Sequence, residues 1–109
     1  MLTNEITQEL VEGLQNIFQE NLTQIILYGS VARNEETEES DIDIAIVLEK
    51  KLDKLTKEHF ISWAADIDLK YEKIFSIIDI QKEQLEKWGA ILPFYRKVCE
   101  EGIILWKVA

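Results

Sequence analysis

The sequence holds a single cysteine, Cys99, so no intramolecular disulfide can form and a disulfide-stapled scaffold is excluded. One proline and four glycines leave no Pro/Gly/Ser-rich stretch to serve as a linker, and no segment repeats another. The 109 residues are therefore expected to form one domain, 1–109. Basic side chains are scarce, 12 against 21 acidic ones, and the resulting net charge of −9 repels polyanions. General, sequence-independent nucleic-acid binding is excluded on that ground. There is no span of about 20 apolar residues and no charged-then-apolar leader, so no membrane partner is expected and the compartment is expected to be cytosolic. What is present is an ordinary globular balance, 47% apolar and 30% charged, enough to bury a core.

Ile6, Leu10, Val11, Leu14, Ile17 and Phe18 recur at steps of three and four after the candidate caps Thr3 and Asn4, which predicts an amphipathic helix over 4–20. Residues 24–28 are a short Ile/Leu-rich run that stops at Gly29, the pattern of a buried strand entering a tight turn through Asn34. Residues 35–40 carry no apolar side chain and read as an acidic, solvated loop. Over 41–48 the even positions Ile42, Ile44, Ile46 and Leu48 are aliphatic, so this strand has one core face, while its other face begins with Asp41 and Asp43. Phe60, Ile61, Ala64 and Ile67 predict a helix over 56–70 capped by Thr56. A strand over 73–80, helical composition over 81–88, a short helix after Pro93 and a last apolar run over 103–106 complete the pattern. That order describes an α+β (α/β layered) fold: a small mixed β-sheet with helices packed on it.

Two carboxylates one residue apart on a strand share a face and lie about 7 Å apart along the backbone. Asp41 and Asp43 meet that condition. Crowding two like charges is costly unless a cation neutralises them, and Mg²⁺ prefers a few carboxylate oxygens together with phosphate oxygens and water. Beside them, Gly29 lets the backbone approach a ligand closely, and the amides that follow could cradle a triphosphate. Ser30 adds a hydroxyl to that cradle, and Arg33 could pair either with the phosphates or with the acidic loop.

The stretch Leu27-Tyr28-Gly29-Ser30-Val31-Ala32-Arg33, ten residues between Ser30 and Asp41, and then Asp41-Ile42-Asp43-Ile44-Ala45-Ile46-Val47 resembles the signature of the DNA polymerase β-type nucleotidyltransferases. It is most similar to their minimal branch, the MntA-like antitoxins. The resemblance implies that Gly29 and Ser30, with Arg33, bind nucleotide phosphates and that Asp41 and Asp43 hold Mg²⁺ across them. It also implies a third carboxylate from a later strand. Here that position falls on Ser76 in Phe75-Ser76-Ile77-Ile78-Asp79. Asp79, three residues on, belongs to the opposite face of a regular strand and serves only if the strand is bulged or has ended.

The function this implies is Mg²⁺-dependent transfer of a nucleoside monophosphate, AMP from ATP, to an acceptor hydroxyl. The resemblance to the minimal branch, many of whose members resemble antitoxins that neutralise a HEPN-type ribonuclease by binding or adenylylating it, implies such a toxin as partner and an antitoxin role. Ser76 supports an alternative of a different class, a nucleotidyltransferase fold that binds nucleotide or partner but transfers little. A small-molecule acceptor such as an aminoglycoside would require a cleft made by a homo-oligomer. His59, without a second histidine or cysteine nearby, reads as a surface residue. Cys99 reads as a core or half-buried thiol. Trp88, Phe94, Tyr95 and Trp106 are expected to complete the core, and to mark an interface if exposed together.

Overall fold

A computed structural model describes residues 2–35, 37 and 40–109. Helix α1 (Asn4–Phe18) starts where the Thr3 hydroxyl accepts the Ile6 amide at 3.2 Å, so Thr3 rather than Asn4 is the cap. Its buried stripe is Ile6, Leu10, Leu14 and Phe18. A 3-10 turn, Gln19–Asn21, leads into β1 (Leu22–Tyr28), two residues earlier than the sequence pattern suggested. The chain then forms one short turn, α2 (Gly29–Ala32), and returns as β2 (Ile42–Leu48). Of the expected acidic loop, residues 36, 38 and 39 lie outside the described residues; Glu35 and Thr37 are exposed.

Helix α3 (Lys54–Tyr71) is capped by Asp53, not Thr56. The Asp53 carboxylate accepts both the Thr56 amide at 2.8 Å and the Thr56 hydroxyl at 2.9 Å, a stronger acceptor at the positive end of the helix than a hydroxyl would be. Ile61 is 55% exposed and does not join the core stripe. The inward positions are Phe60, Trp63, Ile67 and Tyr71, and Ile61 stands about 100° away from Phe60 around the axis. Strand β3 (Phe75–Gln81), α4 (Lys82–Trp88), α5 (Pro93–Glu101) and β4 (Ile103–Lys107) follow.

The four strands form one mixed sheet in the order β3-β2-β1-β4. β1 is antiparallel to both β2 and β4, whereas β2 and β3 are parallel, joined by the α3 crossover. The sheet is covered on both faces, which explains why β2 is apolar on both. Ile42, Ile44, Ile46 and Leu48 pack with the buried stripe of α1 and with Ile67 of α3. Ala45 and Val47 pack on the other side with Ile26, Ile80, Leu85 of α4 and Val98 of α5. A bulge at Thr23 interrupts the β1–β2 ladder, and its buried hydroxyl donates to the Val47 carbonyl at 2.9 Å, leaving no orphaned polar group there.

The helices α1 and α3 approach closely at Gly13, where a Cβ would run into the Trp63 ring. They are also tied by Glu9, which accepts from Lys70 at 2.7 Å and from the Tyr71 hydroxyl at 2.5 Å. Among the described residues no helix is long and apolar enough to cross a membrane.

Candidate active site

The last residue of β1, Tyr28, pairs with Asp43 of β2, so the C-terminal end of one strand lies beside the N-terminal start of the other. There the chain turns at Gly29 with φ of 77°, a left-handed conformation that side chains with a Cβ adopt only at a cost. A Cβ on Gly29 would also collide with the Asp43 carboxylate, which lies directly against the glycine. Two independent constraints thus select glycine at this position. The turn is closed by Arg33 N donating to Gly29 O at 3.1 Å and Glu35 N donating to Ser30 O at 2.8 Å. In so short a helix the amides of Ser30, Val31 and Ala32 have no partner within the helix. Ser30 is half-buried beside them.

Asp41 stands exposed just before β2, and Asp43 is half-buried within it on the same face. Burial pushes the Asp43 carboxyl above its ordinary value, and the charge of Asp41 adds to that rise; the cations Arg33 and Lys97 act the other way. The Tyr28 phenol is likewise raised, first by burial and then by Asp43. Strand β3 supplies the third position. Its parallel register runs without interruption from Ile42 opposite Phe75 to Leu48 opposite Gln81, which places Ser76 opposite Asp43 and Asp79 opposite Ile46. Ser76 therefore shares the face of the two carboxylates, and its hydroxyl donates to Asp41 at 3.4 Å, a long contact. With no bulge in β3, exposed Asp79 lies on the face of Ile46 and is not brought to the site.

Among the described residues no three His, Cys, Asp or Glu side chains cluster to hold a metal ion. The donor set that is present still fits a hard divalent cation shared with a ligand: two carboxylates on one face, one of them held above its ordinary pKa first by burial and then by its neighbour, with a serine hydroxyl alongside. An all-protein cage is not what Mg²⁺ requires, since its remaining positions go to phosphate oxygens and water.

Arg33 is engaged with carboxylates: its Nε lies 3.4 Å from Glu35, and its terminal nitrogen 3.2 Å from Glu101 of α5. Of the two partners open to it from sequence, the acidic loop is the one it touches, and Glu101 was not foreseen. Helix α5 was expected after Pro93, but its place beside the site was not. Its Phe94 ring meets the Tyr28 ring edge-on, centroids 5.8 Å apart, so α5 adjoins the site at both its ends. Spacing of 94, 97 and 101 marks one face of a helix, but only the tertiary fold shows what that face looks at.

The other sequence expectations divide. His59 is exposed on α3. Cys99 is also exposed, a correction, because α5 turns Val98 and Tyr95 inward and leaves the neighbouring position to solvent. Trp88, Tyr95 and Trp106 are half-buried, whereas Phe94 is 42% exposed beside Ile91 at 63% and Leu92 at 40%. The corner between α4 and α5 is thus an apolar surface rather than core.

A glycine-opened turn facing an Asp-x-Asp strand, on a mixed sheet layered with helices, is the arrangement of a nucleotidyltransferase fold. The family model described as polymerase beta, nucleotidyltransferase matches residues 12–107, and the chain belongs to that family. It is 35% identical over 99 residues to a candidate protein adenylyltransferase of Methanocaldococcus jannaschii, covering 91% of this chain and 93% of the relative. A second candidate protein adenylyltransferase of that organism is 33% identical over 92 residues, covering 78% and 93%. Among solved structures, a chain of a toxin–antitoxin complex with AMP-PNP has the same fold, with a TM-score of 0.67 and 20% identity over 94% of this chain and 73% of that one. A chain of the tri-AMPylated Shewanella oneidensis HEPN toxin in complex with MNT antitoxin is similar with a TM-score of 0.60 and 18% identity, covering 95% and 71%.

Proposed function

We propose that this chain moves AMP from ATP to an acceptor hydroxyl on a partner protein, in the manner its relatives' names describe. The observation that carries the reading is the packing of the Asp43 carboxylate against Gly29, which joins a two-carboxylate face to a phosphate-sized turn in one site. Asp41 and Asp43 would hold Mg²⁺, which when bound supplies charge neutralisation across the phosphates. The Gly29–Ala32 turn, with the Ser30 hydroxyl, fixes the pyrophosphate part of the nucleotide. The acceptor oxygen forms a bond to the α-phosphorus as the bond to pyrophosphate breaks, and the hydroxyl proton leaves to solvent or to a base on the acceptor. Alignment of these groups is the chain's main contribution to rate.

Support for a protein acceptor comes from two directions. Relatives are named as candidate protein adenylyltransferases, and one similar structure contains an AMPylated HEPN toxin. The exposed corner Ile91, Leu92 and Phe94 offers a docking patch at the start of the helix that adjoins the site. A HEPN-type toxin is the partner we infer, with the chain as its antitoxin in the cytoplasm; a net charge of −9 favours fast association with a basic nuclease.

Ser76 favours a second reading, a module that binds Mg²⁺-nucleotide or partner and transfers little, because the residue opposite Asp43 is a hydroxyl and not a carboxylate. One experiment separates the two. The purified chain is incubated with α-labelled ATP, Mg²⁺ and a purified HEPN-type protein, with the Asp41→Ala/Asp43→Ala double variant in parallel. Label on the partner with wild type alone supports transfer; absence of label, with nucleotide binding retained, supports the binding module.

A further inference from the structure

We propose that Lys97 of α5 is the cation that holds the triphosphate of the bound nucleotide, a role the sequence motif leaves to Arg33. The proposal rests on the nucleotide reading above and assigns a residue outside the motif. Helix α5 is fixed over the site by three contacts. Val98 is buried with Ile26 and Ala45 of the sheet, Phe94 meets Tyr28 edge-on, and Glu101 pairs with Arg33 at the end of α2. Lys97 follows Phe94 by three residues and precedes Glu101 by four, so it belongs to the same stripe of the helix, between those two contacts. Tyr28 adjoins Gly29 in the chain and pairs with Asp43; Arg33 closes the far side of the same turn. Lys97 thus belongs to the stretch of α5 that adjoins the Gly29–Ala32 turn.

Charge points to the same residue. A nucleoside triphosphate carries several negative charges and meets two carboxylates in a chain of net charge −9, so local cations decide whether it can bind. Arg33 is already shared between Glu35 and Glu101, a group whose sum is −1. None of the ion pairs among the described residues includes Lys97, which leaves its ammonium available to a ligand. An ammonium on a four-carbon stem can follow a phosphate as a point charge without a fixed fork geometry. Lys97 is exposed, so its substitution should leave the fold intact.

The test is calorimetric titration of the full chain, in Mg²⁺, with ATP and separately with AMP, for wild type, Lys97→Ala, Lys97→Arg and Arg33→Ala, each checked by thermal melting. Loss of a charged hydrogen bond predicts that Lys97→Ala weakens ATP binding about 10- to 100-fold while AMP binding stays within about twofold. Lys97→Arg should retain most of the ATP affinity. ATP binding by Lys97→Ala within twofold of wild type overturns the proposal, as does an equal loss for ATP and AMP, which would make the residue a support of the helix. Wild type that binds neither nucleotide overturns the nucleotide reading itself and this proposal with it.

Discussion

Gly29→Ala tests the geometry on which the site depends. A non-glycine residue held near φ of 77° costs about 1–2 kcal/mol. The added methyl must also displace the Asp43 carboxylate, and overpacking of that kind costs about 1–3 kcal/mol. Reduced freedom of the unfolded chain returns roughly 0.4–1 kcal/mol. The net expectation is a loss of about 2–3 kcal/mol, or about 8–12 °C in Tm at roughly 4 °C per kcal/mol for a domain of this size. Because the two costs have different origins, they can be separated. In a Gly29→Ala/Asp43→Ala double variant the oxygen that the methyl meets is gone, while the backbone strain remains. Urea unfolding of the four proteins, in EDTA to exclude metal, should therefore give a coupling of about 1–2 kcal/mol, with the double variant more stable than additivity predicts. Additivity within about 0.5 kcal/mol would show that the carboxylate does not rest on the glycine, and the account of the site would fail.

Asp43 titrates above its unfolded value, so its contribution to stability is fullest below the unfolded carboxylate range and is lost as pH rises through the native pKa. Asp43→Asn should thus melt above wild type at pH 7 in EDTA, and the gap should close below about pH 4; a gap independent of pH would refute the electrostatic cause. Ser76→Asp places a third carboxylate opposite Asp43, and is expected to lower Tm without metal by about 4 °C and to enlarge the Mg²⁺-induced rise relative to wild type. Equal Mg²⁺ shifts in the two proteins would show that position 76 does not face the cation. Leu14→Ala, at 0% exposure, should cost about 2–5 kcal/mol in urea unfolding, whereas Leu69→Ala, at 78%, should cost less than about 0.5 kcal/mol.

The parts of this protein that could be read from sequence are those whose signal is local. The α1 stripe, the two-faced β2 and the Gly29-Ser30/Asp41-x-Asp43 spacing depend on helical period, strand alternation and a turn, all within about 15 residues. The period-two rule also put Asp79 on the wrong face for the site, and the uninterrupted β2–β3 register places it there. What escaped was tertiary. Thr56 looked like a cap, but Asp53 offers both amide and hydroxyl a charged acceptor. Residues 103–106 were an unassigned apolar run because β4 is an edge strand whose place beside β1 is fixed by a partner about 80 residues away. Lys97 and Glu101 were invisible for the same reason: nothing near them in the chain says that α5 lies over the end of β1.

The site carries a cost that its ligand is placed to offset. Asp43 is half-buried, crowded by Asp41 and packed against Gly29, so the site gathers two like charges in one place. The charges of Arg33 and Lys97 oppose this, but Arg33 is itself held by Glu35 and Glu101. On the proposed reading a cation between the carboxylates would remove the repulsion and phosphates would give Lys97 a partner, so binding and folding would be linked. A ligand at a hundred times its Kd adds about 2.7 kcal/mol, the same size as the loss expected from Gly29→Ala. Nucleotide with Mg²⁺ should then lift the melting of wild type by about 10 °C, and should do so less for any variant that has already relaxed the site, Asp43→Asn foremost.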